Sequence, residues 1–360
     1  MTAPPSVSGA EPGATAIDRP GRSGPQAIQV SDEQPLPTVH RGSQVPAAPA
    51  FSVVIPCYEL GELAREAVQS ALDQSLDAVE VIVVDDGSRT PVAQHLQPLL
   101  ERIVLLRQEN GGLSQARNAG IALARGRVIA LLDGDDLLAP SHCAACLELF
   151  ESDPTCMVAA PDAWIFGEGQ PDGLKLSDLY PRNSPVTLEG FLAGTSLVPG
   201  CCTFRREVLE SVRGPYDVEF RSAEDFRLNT QLLIDGVRFR YLDEPTYRYR
   251  KRAGSLSFNN PIPLTAAVVR ALEKLETENA SNAVAVRLLR QAHERYSTEL
   301  SFHRFRKAML ERSFAEAARH GRSVRAAHLQ PRVRRWKFYA GWAAAGILSR
   351  VAPRAAGAPK

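Results

Sequence analysis

VIALLDGDD, residues 128–136, is the stretch from which the rest of the chain is read. Five apolar residues in an unbroken run, closed by Gly and acidic residues, are the pattern of a strand buried on both faces, as in a parallel sheet. Asp133, Asp135 and Asp136 then stand within four residues at its end. Carboxylates so close repel one another unless a cation offsets them. Hard divalent ions take oxygen ligands and commonly keep water and substrate phosphates in their shell. Asp133-Gly134-Asp135 therefore fits Mg²⁺ or Mn²⁺ bridging to a diphosphate. A solvated turn or helix cap is the alternative, because Asp and Gly favour both.

The same grammar repeats outward. Residues 51–55 form a β-branched run stopped by Pro56, and residues 80–84 form a second one, ended by Asp85-Asp86-Gly87-Ser88. Residues 103–106 and 157–160 read as further strands. Between them, apolar spacing predicts helices over 62–76, 92–100, 113–124 and 140–150. After Pro161 the regularity fades into loops. It resumes at 208–212, with a helix around 225–234, a strand near 239–242 and helical periodicity over 262–330. Strand–helix alternation with continuously apolar strands predicts a parallel sheet covered on both faces. Ligands in such sheets bind beyond the carboxyl ends of the strands, where Asp85, Asp86, Asp133, Asp135 and Asp136 all fall.

Two more segments carry chemistry. Residues 111–120, GGLSQARNAG, open a helix whose first amides attract anions, with Arg117 adding charge. Ordinary packing of a Gly-led helix is the competing reading. Glu224 and Asp225 open the apolar-periodic FRLNTQLLIDG, where a carboxylate either caps the helix or faces a ligand.

The bulk numbers bound these readings. A chain of 360 residues, 44% hydrophobic and with net charge +1, holds one large domain or two smaller ones and has no overall bias toward nucleic acid. From residue 301 onward 14 Lys/Arg face only Glu311 and Glu316, so the first 300 residues are net acidic. The six cysteines are not spaced as a disulfide scaffold. Cys143 and Cys146 lie on an expected helix with no second pair at zinc spacing, and Cys201-Cys202 are adjacent. The start of the chain lacks a secretory pattern, and no stretch holds the roughly 18 apolar residues of a membrane span. The expected location is the cytoplasm, at most peripheral to the inner face of the cell membrane.

Four regions follow. Residues 1–48, rich in Pro and Gly, are expected to be disordered. Residues 49–258 form the α/β domain and residues 259–330 a helical extension. Residues 331–360 form a basic tail with Trp336, Phe338, Tyr339 and Trp342, which reads equally as a contact for an anionic membrane surface or as a basic helix or flexible tail.

Taken in order, VVIPCY, EVIVVDDGS, NGGLSQARNAG, VIALLDGDD, CTFRREVLE, EDFRLNTQLL and YRYRKRAGSLS resemble the family 2 glycosyltransferases from about residue 51 to residue 257. Each motif is degenerate, but their order and spacing together are specific to the family and say little of the substrate. The resemblance implies the GT-A fold, a Rossmann-like, mostly parallel sheet flanked by helices. It also implies an inverting transfer of a sugar from a nucleotide-diphosphate donor, commonly a UDP-sugar, to an acceptor hydroxyl of a saccharide or lipid-linked saccharide. Cell-envelope or exported polysaccharide is the implied destination, and Mg²⁺ or Mn²⁺ the implied cofactor.

Carried over, the resemblance has Pro56 and Tyr58 lining the nucleotide pocket, with Glu59 beside them. Asp85 and Asp86 would take the base and ribose, and Arg117 would approach the nucleotide and diphosphate. Asp133, Gly134 and Asp135 would be the D-x-D, with Asp133 and Asp135 on the metal and Asp136 in support. Asp225 would be the catalytic base with Glu224 its neighbour. Two departures stand out. Glu59 replaces the Asn common after the first Tyr. Arg252 replaces a histidine common in the last motif, and a guanidinium cannot ligate a metal but pairs well with phosphate. Arg252, with Lys251, is therefore expected to clamp the diphosphate. Gln330 and Trp336 stand too far apart for the QxxRW element of processive synthases, so single addition is expected.

Two other classes compete. A nucleotidyltransferase would carry a Gly-rich basic phosphate loop after the first strand, and PCYELGE is not one. A non-catalytic binder of nucleotide sugar or scaffold of the same fold would have little need of Asp225.

Overall fold

The computed structural model describes residues 36–212, 214–252 and 261–324. In chain order the first half runs β1 (Thr38–Arg41), β2 (Phe51–Cys57), α1 (Glu62–Leu72), β3 (Val79–Asp86), β4 (Ile103–Gln108), α2 (Leu113–Leu123), β5 (Val128–Leu131), β6 (Leu137–Leu138) and α3 (His142–Ser152). There follow β7 (Val158–Gly167), α4 (Leu176–Leu179), α5 (Leu188–Ala193), β8 (Thr203–Arg205), α6 (Arg206–Glu210), α7 (Glu224–Ile234), β9 (Phe239–Lys251), α8 (Pro261–Glu278), α9 (Ala283–Leu310) and α10 (Phe314–Arg322).

The nine strands of the described residues join one sheet in the order β1-β4-β3-β2-β5-β8-β7-β9-β6. The half from β4 to β5 is parallel, as the unbroken apolar strands require. Beyond β5 the sheet turns mixed: β8 runs antiparallel to both β5 and β7, and β6 is antiparallel to β9. β2 is buried at every position and splits its side chains between two cores. Phe51, Val53 and Ile55 pack on one face with Ala64, Ala67 and Val68 of α1, and Val54 packs on the other with Ala116 and Ile121 of α2.

Leu272 and Leu275 of α8 and Leu289 of α9 belong to that second core. The helical extension therefore shares that core through α7 and α5, while Phe305 and Ala308 of α9 and Ala317 of α10 form a small cluster of their own. No described helix is long and apolar enough to cross a membrane.

The structure corrects four readings. Within the segment expected to be disordered, Thr38–Arg41 pairs antiparallel with β4. Edge pairing satisfies backbone groups and needs little apolar surface, so composition does not reveal it (Val39 remains 54% exposed). Residues 1–35 and the basic tail lie outside the described residues. The single helix expected over 92–100 is two short 3₁₀ turns, Val92–Gln94 and Gln97–Arg102. Pro98, at the start of the second, would break a continuous α-helix. β7 runs past Pro161 to Gly167, and β9 runs past Pro245 to Lys251. Both prolines lie where the β7–β9 register shifts, the place in a sheet where a residue without an N–H is tolerated. That extension brings Tyr247, Arg250 and Arg252 back to the acidic loop after β5.

Candidate active site

The carboxyl ends of β2, β3 and β5 meet at one edge, and the acidic loop 133–136 leaves β5 there. The loop turns tightly, with the Asp136 amide donating to the Asp133 carbonyl at 2.9 Å. Gly134 is demanded by space. A Cβ there would sit 2.8 Å from the Pro56 carbonyl oxygen, 2.9 Å from Cys57 Sγ and 2.6 Å from Leu60 Cδ1. Gly134→Ala is expected to cost about 1–3 kcal/mol of stability through overpacking and to displace the flanking aspartates. Thermal melting and nucleotide-sugar titration of the variant check this, and wild-type values for both would refute it.

Each acid of the loop has a different environment. Asp133 accepts from Arg117 Nη2 at 2.7 Å and is about a third exposed. Asp135 accepts from Arg252 Nε at 2.8 Å, and its carbonyl accepts from Arg250 Nε at 2.7 Å. Asp136 is buried, taking the Tyr247 hydroxyl on Oδ2 at 2.8 Å and the Arg250 amide on Oδ1 at 2.7 Å. Burial, reinforced by Asp133 and Asp135, holds the Asp136 carboxyl well above the usual carboxylate range. Asp136 thus braces the loop from below, while Asp133 and Asp135 remain partly exposed.

Glu224 and Asp225 begin α7, directly after Ala223, whose φ of 61° places a β-carbon residue in the left-handed region. Such a conformation costs on the order of 1 kcal/mol or more and persists only where the surroundings fix it. Glu224 is buried and accepts from Arg117 Nη1 at 2.7 Å. Burial pushes its carboxyl up to about 7, against the pull of Arg117. Asp225 is only half-buried. One oxygen accepts the Phe226 amide at 2.7 Å, and the other lies against Gly200, where a Cβ would approach to 2.6 Å.

Three residues carried over to the donor are turned into the protein. Asp85 is buried and accepts from the Ser88 amide at 3.0 Å, the Val92 amide at 3.1 Å and Arg107 Nη1 at 2.8 Å. Asp86, also buried, accepts from Gln108 Nε2 at 2.8 Å and from the amides of Gly111 and Gly112 at 2.9 and 2.8 Å. The amides that the Gly-led helix start would offer an anion are therefore given to Asp86. Arg117 is 2% exposed and joins Asp133 to Glu224. Glu59, at a φ of 54°, accepts the Arg89 amide at 2.9 Å, and its own amide donates to Ser88 Oγ at 3.1 Å. Tyr58 is half exposed at the rim, and Pro56 lies beneath Gly134.

Sequence reasoning missed Tyr247, Arg250, Tyr216 and Gly200. The first two stand inside the quoted YRYRKR motif, but only the strand pairing of β9 shows that they meet Asp136. All six cysteines are buried free thiols, and burial alone draws the His142 imidazole down to about 4.

The donor set can be tested against a divalent ion. Among the described residues no group of three His, Cys, Asp or Glu is arranged to hold a metal. Mg²⁺ and its analogues are commonly held by one or two carboxylates plus substrate phosphates. Asp133 and Asp135, each engaged by one guanidinium through one oxygen, fit a cation shared with a bound diphosphate.

The sequence model of Glycosyl transferase family 2 matches residues 52–213. EpsJ of Bacillus subtilis (strain 168), described as an uncharacterized glycosyltransferase, is 29% identical over 236 residues, 63% of this chain and 67% of its own length. TuaG of the same organism, described as a putative teichuronic acid biosynthesis glycosyltransferase, is 29% identical over 257 residues, 67% of this chain and 98% of its own. Among solved structures, S. aureus TarS 1-349 in complex with UDP-GlcNAc superposes with a TM-score of 0.53 at 18% identity, over 84% of this chain and 91% of that one. PcManGT from Pyrobaculum calidifontis, a mannosyltransferase in complex with GDP-Man and Mn²⁺, superposes at 0.52 and 19%, over 86% of this chain and 89% of that one. These likenesses show the GT-A fold, and the glycosyl transferase family 2 model matches the chain over residues 52–213, the span that holds the acidic loop.

Proposed function

We propose that this protein is a family 2 glycosyltransferase that moves a sugar, with inversion, from a nucleotide-diphosphate donor to an acceptor hydroxyl during synthesis of a cell-envelope polysaccharide, and that the donor is a UDP-sugar. One observation carries the reading. Buried Arg117 joins Asp133 of the acidic loop after β5 to Glu224 at the start of α7, which supports a donor site at that loop set against the next residue, the half-buried Asp225. The UDP-GlcNAc bound by TarS supports the donor class, and the teichuronic acid role named for TuaG supports the destination.

In this reading Asp133 and Asp135 hold Mg²⁺ or Mn²⁺ together with the diphosphate. The cation, when bound, offsets the charge that develops on the departing nucleoside diphosphate. Tyr58 offers its exposed ring to the base, and Asp85 and Asp86 set the turns that shape that pocket rather than presenting carboxylates to it. Asp225 accepts the proton of the acceptor hydroxyl as it attacks the anomeric carbon opposite the leaving group. A single carboxylate suffices for inversion, and no second one is needed as a nucleophile. Residues 49–258 carry this chemistry, and the loops after β7 together with α8 and α9 border the acceptor.

Arg252 lies 2.8 Å from Asp135 and is a third exposed, so its guanidinium is placed to reach the diphosphate. Arg252→Ala is expected to weaken nucleotide-sugar binding by about 10- to 100-fold, the worth of one charge-assisted hydrogen bond set. Calorimetric titration checks this, and unchanged affinity would remove Arg252 from the donor. The reading as a whole is tested by a panel of nucleotide sugars scored for binding and nucleotide release, with Mg²⁺, Mn²⁺ or chelator present. Failure of every sugar to bind would overturn it.

A further inference from the structure

Ser114, Arg117 and Asn118 stand at i, i+3 and i+4 of α2 and so share one helical face. All three reach residues far along the chain. Ser114 Oγ donates to the Phe220 carbonyl at 2.8 Å. Asn118 donates to the Tyr216 carbonyl at 2.6 Å and accepts the Tyr216 amide at 2.9 Å. Arg117 donates to Glu224, 107 residues away, and to Asp133, each at 2.7 Å. Its guanidinium lies 5.1 Å from the centre of the Tyr216 ring, and its Nε is buried with no hydrogen-bond partner among the described residues. Two terminal nitrogens and one ring therefore fix this side chain. The segment it grips, 216–220, leads directly into the left-handed Ala223 and then Glu224-Asp225.

From this we infer that Arg117 is a positioning residue, which sets the separation of Asp133 and Asp225 by holding Asp133 with one nitrogen and Glu224 with the other. The inference rests on the proposed reading of the site and assigns Arg117 a task different from touching the nucleotide. Asp133 belongs to the donor half and Asp225 to the acceptor half, and the two halves come from segments with no covalent reason to keep register. A planar fork with two donor ends spans them, which an ammonium on a flexible stem cannot do. Burial of both partners keeps water from competing for the Glu224 bond, whereas Asp133 remains partly exposed. Glu224, buried and held by Arg117, acts by placing Asp225 and not as a second base.

The experiment uses the full chain. Arg117→Lys keeps the positive charge but offers one nitrogen to two carboxylates. Its kcat for transfer is expected to fall on the order of 100-fold, the effect of misplacing a reacting group by about 1 Å. Donor KM and the Kd for the nucleoside diphosphate are expected to change less than about threefold. Because removing one partner of a buried ion pair destabilises, Arg117→Met is also combined with Glu224→Gln. This variant leaves no orphaned buried charge on α2 or α7. It is expected to melt closer to wild type than Arg117→Met alone while remaining slow in transfer. Wild-type kcat in either folded variant would overturn the inference, because the bridge would then be only a structural tie. A loss confined to donor affinity would overturn it too, by placing Arg117 on the donor. Wild-type turnover in the same assay tests the proposed function separately. Should no donor turn over, crystal structures of wild type and Arg117→Lys still decide the matter. Displacement of Asp225 relative to Asp133 is expected, and an unchanged separation would refute the bridge.

Discussion

Asp225→Asn is expected to lower the transfer rate by roughly 10³-fold while leaving donor binding within about threefold of wild type. Asparagine preserves the shape of the side chain, and its carbonyl oxygen can still accept the Phe226 amide that Asp225 Oδ1 accepts at 2.7 Å. What is removed is the ability to take a proton. A positioned general base contributes about 10²–10⁴-fold, and in the proposed mechanism no neighbouring group replaces it. Glu224 is buried and bound to Arg117, so its carboxylate does not reach an acceptor. Steady-state kinetics with a chosen nucleotide sugar, paired with calorimetric titration of that donor, separate the two quantities. Wild-type kcat would place the base elsewhere. A matching collapse of donor affinity would mean that Asp225 belongs to the donor site.

Asp135→Asn is expected to act on the other half of the reaction. The change removes one of the two carboxylates proposed for the cation and also leaves Arg252 without its ion-pair partner at 2.8 Å. Because a Lewis-acid cation supplies several kcal/mol to the leaving-group side, turnover is expected to fall by roughly 10³-fold. The variant should also lose most of its response to Mg²⁺ or Mn²⁺. Activity measured across a metal titration and a chelator control checks this. A variant that keeps the wild-type metal response would take Asp135 off the ion. The two variants differ in signature: the first keeps metal-dependent donor binding, the second does not.

The parallel half of the sheet was legible because its signal is local and strong. Buried strands such as 51–55 and 80–84 are unbroken apolar runs, and each ends at a punctuating residue. The mixed half was not. β7 and β9 each contain a proline that reads as a stop, and only their mutual pairing, with its register shifts, carries them through to Gly167 and Lys251. The edge strand β1 was hidden for a different reason. Backbone pairing to β4 has no side-chain signature, so a segment poor in apolar residues concealed it.

The candidate site divides in the same way. Asp133, Asp135, Glu224 and Asp225 could be named because acids at strand ends and helix starts are conspicuous. What each does depends on partners that spacing does not reveal. Asp85 and Asp86 lie in a motif of the same appearance as the loop after β5, yet their oxygens are occupied by protein amides and by Arg107 and Gln108. Arg117 looked like a cation for phosphate and proved to be a buried link between two carboxylates.

By itself, then, the order of residues determined the chemical inventory: which strands of the parallel half are buried, where those strands end, and which acids stand at those ends. Tertiary structure alone decided which of those groups face outward. Solvent exposure and hydrogen-bond partnership are settled by segments about a hundred residues apart meeting at one sheet edge, and local sequence carries no record of that meeting.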